Sequence, residues 1–249
     1  MTRSYKTSAV VLRGRNYGEA DRIYTLFSTA RGKMDAIAKG VRRTKSHLAG
    51  RLEFASRVAL GMHRGRSLDV VVSADLEDAQ WPDLVRPDRF AAANIVLELI
   101  DGFCEPDLPL PDVYALLTGA LSAISRSEAP MELLPRFQLR LLEALGLAPP
   151  LETCVRCGKS IASSGAWLDP EQGGFACDAC RVAWREVLVL SAEDMRNVRA
   201  LAAPASGKVK AAVHAQKTSA AAIEILVNHH LGRRTKAASQ APELLGGLQ

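Results

Sequence analysis

The sequence is poor in the features that would place it in a membrane or mark it as an enzyme. None of the apolar runs in its 249 residues reaches the roughly 18 to 20 residues that a membrane span requires. The longest, around Ala91 to Ile100 and Ala220 to Val227, are short and bounded by charges. Met1-Thr2-Arg3-Ser4-Tyr5-Lys6 leads into alternating, strand-like sequence rather than an apolar stretch, so no signal peptide is expected. Aromatic residues make up only 5% of the chain, and some of them must serve a core. Glycine-rich dinucleotide fingerprints, H-E-x-x-H and G-x-S-x-G are all missing. Gly158-Lys159-Ser160 imitates the end of a phosphate loop, but Thr153 stands where that loop needs glycine. The adjacent His229 and His230 point to different faces of a helix, which suits helix-end polar residues better than a metal pair. Carboxylates between Asp69 and Asp112 show no two-metal spacing, and no internal repeat is evident. The chain reads as a protein without catalytic activity.

What is present is divided unevenly. Residues 1–66 hold 15 Lys or Arg against four acidic residues, a balance of +11, whereas the remainder carries 17 against 23, or −6. A basic module on an acidic body suits a nucleic-acid reader with a separate protein-facing part.

The basic segment reads as five short strands. Ser8 to Leu12 and Arg22 to Ser28 are apolar or rich in aromatic and β-branched residues, and Lys33 to Lys39 alternates more weakly. Leu52, Phe54, Val58 and Leu60 fall on one face of a fourth strand; Leu68, Val70, Val72, Ala74 and Leu76 fall on one face of a fifth. Five strands in so short a span suggest a small closed or partly closed barrel. Helices follow: one opened by Pro87-Asp88 and dense in apolar residues, a second capped by Asp112 and running to about Ile124, and a third from Met131 to Leu145 stopped by Gly146. Ser191 and Asp194 form a capping box for a fourth, and Ser219 to Leu231 makes a fifth ending at Gly232. The fold class is α+β: a small N-terminal β-barrel, expected to be an OB fold, followed by an all-α domain into which the four cysteines described next insert a zinc finger. The expected parts are a barrel at 1–80, helices at 81–148, a zinc module at 149–184, helices at 185–235 and a tail at 236–249.

The sharpest motif is Cys154-Val-Arg-Cys157 with Cys177-Asp-Ala-Cys180. Each Cys-x-x-Cys turn presents two thiolates to one ion, and two such turns complete tetrahedral S4 coordination, which suits structural Zn²⁺, with iron the main competitor, and leaves no open position; a redox Cys-x-x-Cys or unlinked cysteines are the other readings. Cys104 stands alone and reads as a small core residue.

Nucleic-acid contacts are expected from Lys39, Arg42, Arg43, Lys45 and Arg51 between the third and fourth strands. Arg13, Arg15 and Tyr17 are placed in the first loop, and Arg64 and Arg66 in the loop between strands four and five, the loops by which OB barrels grip oligonucleotides. Tyr17, Tyr24 and Phe27 are candidate stacking surfaces. On the third helix, Arg136 and Arg140 beside Phe137 and Leu141 could accept an acidic, hydrophobic peptide tail.

Several ordered stretches resemble the RecO family of recombination mediators. They are Thr7 to Leu12, Tyr17-Gly-Glu-Ala-Asp-Arg22, Gly32-Lys33, Lys39-Gly-Val-Arg-Arg43, Leu142-Glu-Ala-Leu-Gly146 leading into the four cysteines, and His230-Leu-Gly-Arg233. The resemblance implies binding of single- and double-stranded DNA, strand annealing, and help in loading RecA onto DNA coated by single-strand-binding protein. It implies RecR and single-strand-binding protein as partners, RecA as an indirect one, and a cytoplasmic, nucleoid-associated location in bacteria. Two rival classes stay open on the residues alone: a zinc-ribbon factor acting in transcription or on RNA, and a metal-dependent nuclease, which the closed cysteine site disfavours.

Overall fold

The computed structural model describes residues 3–79, 82–181, 188–203 and 216–240. Its contacts group the chain into two compact units, residues 1–131 with 235–249, and residues 132–234.

In the first unit β1 (Ser4–Tyr17), β2 (Asp21–Ser28), β3 (Gly32–Ala38), β4 (Arg57–His63) and β5 (Asp69–Asp78) close a barrel in the order β1-β2-β3-β5-β4. All pairs are antiparallel except β3 with β5, where Ala36 faces Asp69 and Ile37 faces Val70. β1 serves two neighbours. Its first half pairs with β4, from Ser4 opposite His63 to Val10 opposite Arg57, and its second half pairs with β2 as far as Tyr17 opposite Asp21. The register shift between Val11 and Arg13 marks that hand-over. This is the five-stranded OB arrangement.

β3 and β4 alternate strictly between buried and half-buried positions, as one-sided strands should. Their inward residues, including Met34, Ala36, Val58, Leu60 and Met62, meet Ala9, Val11 and Leu26 inside the barrel.

Two strand expectations need correction. Leu52 and Phe54 precede β4; Leu52 is buried from the β3–β4 connection and is not part of a strand. On β5 the period of two breaks. Gly61 faces Ser73 while Met62 faces Val71, so Val72 is an extra residue and is 55% exposed. Leu76, paired with Val58 just before a second shift between Arg57 and Val58, is exposed as well, and the buried residues are Val71 and Ala74.

α1 (Pro87–Phe103) and α2 (Pro111–Arg126) pack in this same unit rather than with the later helices. α1 is nearly all core from Ala91 to Ile100, with Phe90 the exception: it lies open and packs against Phe54 at 5.1 Å between ring centroids. Asp112 sits in the first turn of α2 but makes no cap; the N-cap is Leu110, without a side-chain bond. The segment after α1 clasps the barrel. Asp107 N–H donates to the Lys33 carbonyl at 2.8 Å, and a Cβ on Gly32, at φ +68°, would lie 1.8 Å from the Leu108 carbonyl oxygen. Only glycine fits that turn.

In the second unit α3 (Leu134–Ala144) starts three residues later than expected, after a 3₁₀ turn at Pro130–Leu133. It ends where Gly146, at φ +73°, lets Leu147 N–H reach the Leu142 carbonyl and Gly146 N–H reach that of Glu143. β6 (Ala166–Asp169), β7 (Gly174–Ala176) and β8 (Val189–Leu190) form a small sheet in the order β7-β6-β8. α4 (Ala192–Ala202) opens with the expected capping box, Ser191 and Asp194 each accepting the other's backbone N–H. α5 (Lys217–Leu231) stops at Gly232, φ +72°. None of the described helices is long and apolar enough to cross a membrane.

Candidate metal centre and nucleic-acid interface

Cys154, Cys157, Cys177 and Cys180 converge in the second unit, with all four sulfurs within 4.8 Å of one another. The Cys157 and Cys177 sulfurs are 3.7 Å apart. A tetrahedral ion with bonds of about 2.3 Å to sulfur needs edges of about 3.8 Å, so the residues fit such an ion. The two turns are built locally: Gly158, at φ +70°, sends its N–H to the Cys154 carbonyl, and Cys180 N–H donates to the Cys177 carbonyl. Cys154 N–H pairs in turn with the Lys159 carbonyl.

Electrostatics points the same way. Burial of Cys154 opposes its ionisation, but backbone N–H groups of Cys177, Cys157 and Arg156 directed at its sulfur outweigh this and bring the thiol down to about 6. Cys180 is pushed up to about 12, chiefly by hydrogen bonds with the Cys157 and Cys177 side chains. Four thiolates so close repel one another unless a cation is shared among them. With four protein ligands such a site is closed to substrate.

The module is held by residues that spacing did not reveal. Arg199 on α4 donates to the carbonyls of Leu151 and Ile161 and pairs with Glu152 at 2.9 Å. Arg156 pairs with the buried Asp169 on β6 at 2.5 Å. Trp167 donates its indole N–H to Asp178, and the Arg181 guanidinium lies 5.2 Å from its ring centre. No periodicity joins residues 48 positions apart, as Arg199 and Leu151 are.

On the barrel, the exposed Lys39, Arg42, Arg43 and Lys45 lie in the connection after β3, and Arg64 and Arg66 in the β4–β5 loop. Arg13, Arg15 and Tyr17 are not in a loop: β1 extends through Tyr17, and the β1–β2 turn holds only residues 18–20. Arg13 is engaged by Asp101 of α1 at 2.7 Å, and Arg51 by Asp75 at 2.7 Å and the Ala74 carbonyl. Both are therefore partly neutralised.

The structure joins two of the three basic segments. Arg42 N–H donates to the Ala20 carbonyl at 3.0 Å and its guanidinium to the Glu19 carbonyl at 3.1 Å, while Gly40 N–H donates to Asp21. Lys39 to Arg43 is thereby pinned to the β1–β2 tip. Arg64 lies at the other end of β1, where its N–H meets the Arg3 carbonyl and its guanidinium sits 5.7 Å from the Tyr5 ring centre. Tyr24 and Phe27, expected as stacking candidates, are barrel core at 3% and 0% exposure; Tyr17 is 53% exposed.

The expected peptide-docking group on α3 does not offer an apolar face. Phe137 and Leu141 are buried, Arg140 pairs with Glu143, and Arg136 donates to the Ala203 carbonyl. The helix turns its apolar stripe into its own unit. Trp184, Lys208 and Lys210 lie outside the described residues.

An OB barrel whose loops carry cations without carboxylate partners among the described residues, followed in the chain by a helical unit with four converging cysteines, defines an OB-barrel protein with a second unit able to hold a metal ion. The family model described as Recombination protein O N terminal matches residues 1–79, and the one described as Recombination protein O C terminal matches residues 85–238. The chain belongs to the RecO family of DNA repair proteins. It is 40% identical over 183 residues to a DNA repair protein RecO of Nocardioides sp., covering 72% of this chain and 75% of the relative. The relative of that name from Bifidobacterium longum subsp. infantis is 37% identical over 228 residues, covering 90% and 89%. The one from Heliobacterium modesticaldum is 39% identical over 187 residues, covering 72% and 66%.

Proposed function

We propose that this protein is a recombination mediator that binds single- and double-stranded DNA through its barrel, anneals complementary strands, and with RecR helps load RecA onto DNA coated by single-strand-binding protein. The observation that carries the DNA reading is the set of exposed cations at the barrel tip and the β4–β5 loop. Arg42, Arg43, Lys45, Arg64 and Arg66 have no carboxylate partner among the described residues. Such side chains meet phosphates without first breaking an ion pair. RecR, RecA and single-strand-binding protein enter through the family, as does a cytoplasmic place at the nucleoid. The four cysteines hold one structural Zn²⁺, which stabilises their unit and takes no part in chemistry.

Phosphate contacts carry no base information, so affinity is expected to be nearly independent of sequence and strongly dependent on salt. With about five phosphates engaged, log K against log salt should fall with a slope of roughly −3 to −4 for a single strand. The double variant Arg42→Glu, Arg43→Glu should bind every sequence more weakly, with a shallower slope, and should lower the melting temperature only slightly, through loss of the exposed Arg42 bond to the Glu19 carbonyl. A folded variant with wild-type affinity and slope would remove the barrel tip from the interface. Tighter binding of structured RNA than of either DNA form would favour the zinc-ribbon alternative.

A further inference from the structure

We infer that Tyr17 is the base-stacking residue of the barrel, and that it gives the site its preference for single strands over duplex. The inference rests on the DNA-binding reading above and assigns a residue within it. Of the described aromatics in the barrel strands, Tyr24 and Phe27 are consumed by the core and Tyr5 is half-buried, its phenol donating to Asp69 and its ring under Arg64. Tyr17 alone among them is exposed, at 53%.

Its placement is specific. Tyr17 is the last residue of β1, opposite Asp21, and Gly18 turns the chain immediately after it at φ +57°. That tip is braced by three hydrogen bonds from the connection after β3: Gly40 N–H to the Asp21 carboxylate at 2.7 Å, Arg42 N–H to the Ala20 carbonyl at 3.0 Å, and the Arg42 guanidinium to the Glu19 carbonyl at 3.1 Å. A tyrosine joins an apolar ring to a polar hydroxyl, so its exposure alone assigns no role; its neighbours do. Here it lies on the same tip that Arg42 braces, where Lys39, Arg42 and Arg43 supply exposed charge. Cations hold a sugar-phosphate backbone, and a ring beside them takes the face of an unstacked base. A duplex hides its base faces, so the ring discriminates against it while the cations do not.

The test uses the full-length chain with three probes of equal length: a thymidine strand, a strand of abasic deoxyribose phosphates and a duplex. The wild type should bind the thymidine strand about five- to a hundredfold more tightly than the abasic one. Tyr17→Ala should lower thymidine affinity to the abasic level and leave abasic and duplex affinities unchanged. Tyr17→Leu, which keeps apolar bulk without a π face, should behave like the alanine variant, and Tyr17→Trp should restore the ratio. An unchanged thymidine-to-abasic ratio in Tyr17→Ala overturns the assignment while leaving the phosphate-binding barrel standing. Absence of wild-type binding to all three probes overturns the DNA reading itself.

Discussion

His230 lies near the end of α5 with Nε2 buried and without a hydrogen-bond partner among the described residues. Burial, with the charge of His229 added, holds its pKa below the ordinary imidazole value of 6.5. The folded chain therefore favours the neutral ring, and the unfolded chain takes up a proton first as pH falls. Stability tied to this ring is fully present above pH 6.5 and is lost as pH falls through that value towards the lower folded one. Between pH 7.5 and 5.5 the melting temperature of the wild type should drop more than that of His230→Leu; equal drops would show that the ring contributes nothing to acid sensitivity. Cys104 makes the contrast. Burial pushes its thiol up to about 11, which leaves an inert core side chain, as its isolation in the sequence suggested.

At the level of elements, α4 depends on a start signal that is wholly local. The Ser191 hydroxyl accepts the N–H of Asp194, and the Asp194 carboxylate accepts that of Ser191. Removing the hydroxyl in Ser191→Ala should cost about 1 kcal/mol. Chemical denaturation should show this as a lower midpoint, and Ser191→Thr should recover most of it. An unchanged midpoint for the alanine variant would mean that α4 is held by packing alone, through Met195, Val198 and Leu201. The strands were legible to different degrees. Val58 and Leu60 fall on one face because β4 keeps a strict period of two, β3 alternates strictly in burial but only weakly in residue type, and the two register shifts of β5 against β4 leave no mark in the residue pattern.

For the whole molecule, the four cysteines and the basic barrel fall in different compact units, so separate melting transitions are expected of them. Cys157→Ser, or treatment with a chelator, should strip about one zinc per chain and lower a melting transition belonging to residues 132–234. The buried Phe175, Ile161 and Leu168 of that unit are expected to gain exposure when the clip opens. DNA affinity and its salt slope should stay at their wild-type values. Equal metal content and melting in wild type and variant would rule out the metal clip, and a matching loss of DNA affinity would show that the two units act together.

The sequence by itself determined what depends on neighbours in the chain: the paired Cys-x-x-Cys turns, the Ser191–Asp194 box, the glycine stops at Gly146 and Gly232, and the concentration of positive charge before residue 67. Each is fixed by a few consecutive backbone dihedrals or by composition, so no distant residue has to be known. Tertiary structure alone decided which of those charges remain free and which aromatic rings remain bare. Arg13 is answered by Asp101 and Arg51 by Asp75, while Tyr24 and Phe27 vanish into the core and Tyr17 does not. An ion pair or a burial is made by residues far apart in sequence, and only the closed barrel with its packed helices brings them within reach.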